Sequence, residues 1–111
     1  MNTGYILQIA HHGKLMYIYQ MEFEWDRRKA AANLRKHRVS FPEAGTIFGD
    51  ELATTVSDPD HSNDEDRYIT IGWSNRRRLL IVSHTDRGGK IRIISARELT
   101  KAERKAYEEA N

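Results

Sequence analysis

The 111-residue chain is 31% charged and 39% hydrophobic, and its formal net charge is +2. This length suits a single domain with a modest core, and no apolar run approaches the ~20 residues of a transmembrane helix. The absence of cysteine excludes disulfides, a thiolate nucleophile and cysteine–zinc sites, and is typical of proteins in the reducing cytoplasm.

The charges are unevenly distributed along the chain. Residues 27–38 hold six Lys/Arg and no acid, residues 50–66 hold seven Asp/Glu and no Lys/Arg, and residues 67–105 hold eleven Lys/Arg against three acids. This pattern predicts a positive face suited to a polyanion and an acidic loop elsewhere. Solvated helix and loop surfaces are the simpler explanation of the same pattern.

The first twenty residues are predicted to be an N-terminal extension, residues 1–20, ahead of a domain at residues 21–111. Tyr5–Ala10 and Leu15–Tyr19 each have the composition of a short strand. The segment lacks the basic start of a signal peptide, and an upstream start codon would account for it.

A strand and a helix are predicted next. In Met21–Trp25, Phe23 and Trp25 alternate onto one face, and Asp26 is a suitable N-cap for a helix at Arg27–His37. Three residues of this helix fall at i, i+4 and i+7 and are expected to face inward: Ala30, Leu34 and His37. For His37, a partly buried position favoured by the helix dipole is the simplest role.

A second, shorter helix is predicted to begin at Ser40, because Ser40 and Glu43 form a capping-box pattern. It is expected to end near Gly49 and to turn Phe41, Ala44 and Phe48 inward.

Four strands and a last helix complete the chain. The strands are predicted at Leu52–Ser57, Arg67–Trp73, Leu79–Thr85 and Lys90–Arg97. Their connections are short, which favours an antiparallel meander. The capping box of Thr100 and Glu103 begins the C-terminal helix. The predicted fold class is therefore α+β, an antiparallel meander with two N-terminal helices and one C-terminal helix.

The last strand contains two arginines within an apolar run. Strict alternation would place Ile91, Ile93, Ser95 and Arg97 on one face, and Arg92, Ile94 and Ala96 on the other. An unpaired buried charge is costly, so these arginines indicate either pairing with acids at an edge or a phosphate-binding sheet surface.

Four motifs together resemble the BrnT family of toxins. They are W-D at 25–26, N-L-R-K-H at 33–37, I-R-I-I-S-A-R at 91–97 and E-R-K-A-Y at 103–107, and the resemblance covers about residues 21–110. It implies the toxin of a type II toxin–antitoxin pair, a small ribonuclease with a RelE/ParE-like fold that inhibits translation. It also implies a hetero-oligomer with a BrnA-like antitoxin that has a ribbon-helix-helix DNA-binding part.

Metal-free cleavage of RNA requires deprotonation of a 2′-hydroxyl, stabilisation of the phosphorane and protonation of the leaving oxygen. Arginine suits the second task and histidine the proton transfers. RelE-like toxins place basic side chains on the concave face of a sheet, with an aromatic near the C-terminus. The candidate catalytic residues are therefore Arg67, His84, Arg92, Arg97, Lys36 and Tyr107. Tyr107 would stack on a base or contact phosphate, or else cover the sheet edge.

No cofactor or metal is expected. The acidic loop Asp58–Asp66 lacks the glycine and the glutamate of a calcium loop. Pro59-Asp60 with Glu103-x-Lys105 resembles a metal nuclease motif, but Glu103 and Lys105 fall inside a predicted helix. A second function class remains open, a non-catalytic nucleic-acid-binding or gyrase-directed ParE-like toxin. Convergence of Arg92, Arg97 and His84 on one phosphate would distinguish the two.

Overall fold

The computed structural model describes the backbone of residues 2–11, 17–58, 60 and 66–110, and side chains from Met21 onward. Within these residues lie β1 (Asn2–His11), β2 (Tyr17–Asp26), α1 (Arg27–His37), α2 (Phe41–Gly45), a 3₁₀ turn (Thr46–Gly49), β3 (Thr54–Ser57), β4 (Arg67–Trp73), β5 (Leu79–Arg87), β6 (Lys90–Glu98) and α3 (Lys101–Ala110). None of the described helices is long and apolar enough to cross a membrane.

The strands form one six-stranded sheet in the order β1-β2-β6-β5-β4-β3. The predicted meander from β3 to β6 and the α+β class are confirmed. β2 joins β6 in parallel through Phe23–Ile91 and Glu24–Arg92. The two strands expected at Leu15–Tyr19 and Met21–Trp25 are one continuous strand from Tyr17, paired along its length with β1; Leu15 and Met16 lie outside the described residues.

The core lies between one face of this sheet and the two N-terminal helices. We call that face the inner face and the opposite one the outer face. The buried cluster consists of Phe23, Trp25, Val39, Phe41, Ala44, Ile47, Leu80, Val82, Ile93 and Ala96. Phe41 and Ala44 face inward as predicted, and Phe48 packs against the cluster. Burial of these large side chains is the main stabilising contribution to the fold.

A β-bulge interrupts β6. Ser83 pairs with Ser95, but the next residue of β5, His84, pairs with Ile93. Ile94 is therefore an extra residue with no partner opposite it on β5.

The bulge changes which arginines share a face. Ile93 and Ala96 are three residues apart, and both belong to the core beneath the inner face. Arg92 and Arg97, each next to one of them, therefore both point to the outer face. The prediction from strict alternation, which placed the two arginines on opposite faces, is wrong because one inserted residue reverses the pattern beyond it.

α1 begins as predicted but turns a polar residue inward. The Asp26 carboxylate accepts hydrogen bonds from the amides of Arg28 and Lys29 at 2.8 and 3.1 Å. Leu34, predicted to face inward, is 48% exposed, and the buried residue of α1 is Asn33.

The Asn33 amide takes the place of a neighbouring strand. Its Nδ2 donates to the carbonyls of Ala96 and Val39 at 2.8 and 3.0 Å, and its Oδ1 accepts from the Ala96 amide at 3.1 Å. β2 pairs only with the beginning of β6, at Ile91 and Arg92. Beyond these pairs, Asn33 supplies hydrogen bonds to the β6 backbone in place of β2.

The two predicted capping boxes differ in outcome. Thr100 and Glu103 cap each other's amides at 3.1 and 2.8 Å, as expected. Ser40 accepts from the Glu43 amide at 3.1 Å, but the Glu43 carboxylate binds Arg78 instead of returning to Ser40. The predicted return contact from the Glu43 side chain to the Ser40 amide is therefore wrong.

α3 contacts the outer face near β3 and β4. The Arg104 guanidinium lies 5.1 Å from the ring centre of Trp73, and the Tyr107 hydroxyl donates to the Leu52 carbonyl at 3.2 Å. No side chain of α3 is fully buried, so polar contacts hold this helix in place.

Candidate functional site

Strand pairing places three of the predicted arginines on the outer face. Arg67 and Arg92 both pair with Thr85, in one row across β4, β5 and β6. Arg97 pairs with Ile81, four residues from Thr85 on β5. The two rows are therefore about 13 Å apart along the strands. The three arginines lie on one side of the sheet, in two separate rows.

A cavity of about 390 Å³ opens on the outer face beside Arg97. Residues of β4, β5 and β6, the end of α1 and the segment after β3 form its walls. Its lining consists of Lys36, His37, Asp58, Asp60, Ile69, Ile81, Ser83, Ser95, Ala96 and Arg97. The cavity is thus a mixed surface, with apolar and hydroxyl groups between charged ones.

Glu103 fixes the Arg97 side chain at this cavity. Arg97 Nη1 and Nη2 donate to Glu103 Oε1 and Oε2 at 2.7 and 3.0 Å, and Nη1 also donates to the Glu98 carbonyl at 3.2 Å. This pairing raises the pKa of Arg97 and lowers the pKa of Glu103 to about 2. A guanidinium has five N–H donors, so two remain for a ligand, and the side chain is 38% exposed.

Lys36 and His37 reach the cavity because α1 ends beside β6. The bonds from Asn33 to Ala96 hold α1 next to Arg97. Lys36 was a predicted site residue, whereas His37 was expected only to be partly buried at the helix end. It is partly buried, and it also lines the cavity. Its place beside Lys36 in the N-L-R-K-H motif was the signal that could have included it.

His84 lies on the inner face, away from the cavity. It is 6% exposed, its Nε2 is 2.7 Å from Thr70 Oγ1, and its ring centre lies 5.0 and 5.8 Å from those of Phe48 and Tyr68. Burial lowers the pKa of His84 to about 4. The sheet therefore separates His84 from the arginines, and the expected convergence is not observed.

Arg92 and Tyr107 have structural partners. Arg92 Nη1 donates to Glu24 Oε2 at 2.7 Å, and the Arg92 side chain is 18% exposed. The Tyr107 hydroxyl contacts the backbone before β3, which agrees with the packing role considered for it. Both residues lie outside the cavity lining.

Among the described side chains, no three His, Asp or Glu residues are grouped so that they could hold a metal ion. Pro59 and residues 61–65 of the acidic loop, where a calcium site was considered, lie outside the described residues. Glu103 and Lys105 are both in α3, as expected.

The model of a known family, described as ribonuclease toxin, BrnT, of type II toxin–antitoxin system, matches residues 25–103. The chain belongs to the BrnT family. The resemblance in the sequence motifs is thereby confirmed, and membership in a type II system implies an antitoxin partner.

The fold is similar to that of a solved BrnT toxin. The 1.1 Å crystal structure of the Brucella abortus ribonuclease toxin BrnT aligns with a TM-score of 0.55 and 22% sequence identity. The alignment covers 69% of this chain and 94% of that one, and at this identity it demonstrates a shared fold only. No curated protein matches the chain.

Proposed function

We propose that this BrnT chain is an endoribonuclease that cleaves RNA by attack of the internal 2′-hydroxyl on the adjacent phosphate, without a metal ion. In this way it inhibits translation in the cytoplasm. The observation that supports this proposal most directly is the position of Arg97, Lys36 and His37 around one cavity.

Arg97 and Lys36 would stabilise the charge that develops on the phosphorane. The Glu103 carboxylate holds the Arg97 fork, so donors are fixed before substrate arrives, which is the condition for effective electrostatic stabilisation. Lys36 adds a second positive charge to the lining. Together they supply the charge stabilisation that a metal ion supplies in other nucleases.

His37 would transfer the protons. Histidine suits this role because it gains and loses a proton near neutral pH. His84 was the histidine predicted from the sequence, but its burial on the inner face leads us to assign the proton transfer to His37. The internal 2′-hydroxyl is a nearby nucleophile that needs no activated water, which favours reaction through proximity.

The antitoxin that family membership implies would be a BrnA-like protein with a ribbon-helix-helix DNA-binding part. We propose that the antitoxin covers the outer face and forms a hetero-oligomer with this chain. Acidic side chains of the antitoxin would steer the association. Co-expression with the adjacent small reading frame, followed by purification, should give a stable complex that weakens at high salt. A toxin that elutes alone and is tolerated by cells would contradict this.

The enzymatic proposal is tested by incubating the purified chain with RNA in EDTA. Cleavage should persist, stop when a single 2′-deoxy nucleotide replaces the one at the cut site, and leave a 2′,3′-cyclic phosphate. His37→Ala should slow cleavage, while Arg28→Ala, an exposed change on the same helix, should not. Loss of activity in EDTA would refute the metal-free mechanism. RNA binding with no cleavage would favour the non-catalytic or gyrase-directed alternative.

A further inference from the structure

Two arginines have backbone conformations that L side chains rarely adopt. Arg38 has φ 60° and Arg77 has φ 62°, and they are the only described non-glycine residues with positive φ. Glycine or asparagine is favoured in this left-handed region, because a Cβ crowds the backbone there. Arginine at both positions is strained, so its side chain needs a reason beyond the turn itself.

Neither turn uses the arginine side chain. Arg38 ends α1 through its backbone N–H, which donates to the Leu34 carbonyl at 2.9 Å, and the Arg77 N–H donates to the Ser74 carbonyl at 2.9 Å. Glycine would make both bonds without strain. Both side chains are exposed, and neither forms an ion pair with a described residue.

Arg78 brings these two turns together. Its Nη2 donates to the Arg38 carbonyl at 3.0 Å, and its Nη1 lies 3.4 Å from Glu98 Oε2. Glu98 is adjacent to Arg97, and Arg38 directly follows Lys36 and His37. The end of α1, the turn at residues 74–78 and the end of β6 therefore meet at one corner of the molecule.

Several exposed arginines at this corner form what we call the flanking patch. Its members are Arg35, Arg38, Arg76 and Arg77. The glutamates at this corner already have partners, because Glu43 and Glu98 bind Arg78 and Glu103 binds Arg97. The positive charge of the patch is thus left for a ligand outside the described residues.

We propose that the flanking patch binds the phosphodiester backbone of the RNA strand next to the nucleotide held in the cavity. The proposal rests on the proposed function and extends it from the cleaved phosphate to its neighbours. Arginine presents donors that match phosphate oxygens, and backbone contacts of this kind hold single strands without reading their sequence.

The decisive variant is the double substitution Arg38→Gly/Arg77→Gly. Binding to a 2′-O-methyl RNA oligonucleotide, which blocks the attacking hydroxyl, is measured over a range of KCl concentrations. Loss of two single-strand phosphate contacts should reduce the slope of log K against log salt by about 1.4, at about 0.7 per contact. Between about 50 and 200 mM salt, the variant should therefore lose roughly sevenfold less affinity than wild type.

Thermal unfolding distinguishes a binding role from a structural one. Because glycine relieves the strain at both positions, the variant should melt at the same temperature as wild type or higher. The matched control is Arg28→Ala/Arg87→Ala, which removes the same charge from exposed positions outside the patch. Its salt slope should equal that of wild type.

Each other outcome overturns the proposal. An Arg38→Gly/Arg77→Gly slope equal to the control's would show that the patch does not contact RNA, even if wild type cleaves RNA as proposed. Unchanged RNA binding with a weakened antitoxin complex would show that the patch is a protein interface. A wild-type chain that neither binds nor cleaves RNA would refute this inference and the proposed function together.

Discussion

The carboxylate of Glu103 and the guanidinium of Arg97 form two parallel hydrogen bonds of 2.7 and 3.0 Å. The same carboxylate accepts the Thr100 amide at 2.8 Å. Glu103 thus caps α3 and orients Arg97 at the cavity. The capping box at the start of α3 and the geometry of the candidate site depend on one side chain.

Glu103→Gln should separate these two roles. Glutamine can still accept from the Thr100 amide, but it lacks the charge and the second oxygen that hold the Arg97 fork. If Arg97 stabilises the transition state, cleavage should slow by about 10- to 100-fold through kcat, with little change in KM. Single-turnover kinetics measure this effect. Glu108→Gln on the same helix is the control, and equal rates for the two variants would show that Glu103 serves only the helix.

His84 should make the fold less stable in acid. Its pKa lies at about 4 in the folded protein against an ordinary 6.5, so the unfolded chain binds a proton that the folded chain excludes. The free energy of unfolding should fall as pH drops from about 6.5 to about 4, by up to about 3 kcal/mol. Urea unfolding of His84→Gln should show a shallower decline than wild type or His37→Gln. Parallel curves would contradict the burial of His84.

Arg78 should be essential for stability because it neutralises a buried carboxylate. The Glu43 side chain is 3% exposed, and hydrogen bonding to Arg78 holds the pKa of Glu43 below its ordinary value. The pair thus stabilises the fold above about pH 4.5, and this contribution is lost as pH falls below it. Arg78→Ala should cost about 3–5 kcal/mol at pH 7.

The double variant Glu43→Gln/Arg78→Ala should recover part of the stability lost in Arg78→Ala, since no unpaired charge remains buried. The neighbouring exposed change Arg76→Ala should alter stability by less than about 0.5 kcal/mol. Chemical denaturation of wild type, Glu43→Gln, Arg78→Ala and the double variant measures the coupling. Additive effects of the Glu43 and Arg78 changes would show that the pair is not coupled.

We propose that residues 21–111 fold without the first twenty residues. Every buried side chain that the structure describes lies between Phe23 and Ala96, and β2 keeps its pairing with β6 through Phe23 and Glu24. A chain that begins at Met21 should fold and keep its activity, but melt at a lower temperature because β2 loses β1. Circular dichroism and RNA cleavage test this. An aggregated or inactive product would show that β1 belongs to the essential fold.

The meander and the last helix could be predicted because their signals are local. Short connections require antiparallel neighbours, and the Thr100 and Glu103 pair identifies a helix start wherever it lies. The bulge at Ile94 has no such signal, since a single inserted residue is visible only in the pairing of two strands. That residue reversed the predicted relation between Arg92 and Arg97.

The candidate site was predicted only in part, because it too depends on long-range contacts. Lys36 and Arg97 were chosen for their charge, and they line the cavity because Asn33 ties α1 to β6, a long-range contact that periodicity does not reveal. The position of His84 was available from the sequence. It follows Leu80 and Val82 at intervals of two, which places it on their buried face.

The two arginines of β6 should therefore differ in their effect on cleavage. Arg97 lines the cavity with Lys36 and His37, whereas Arg92 lies about 13 Å away along the strands and is paired with Glu24. Arg97→Ala should slow cleavage by about 10²–10³, the scale for losing one fixed donor to a developing oxyanion. Arg92→Ala should lower stability and change the rate of the folded fraction by less than about tenfold, since a remote charge affects binding more than chemistry. The cleavage rate of each variant is divided by its folded fraction, which is measured by thermal unfolding. Equal losses of kcat in both variants would show that the reactive phosphate lies between the two rows, and full activity of Arg97→Ala would place the site elsewhere.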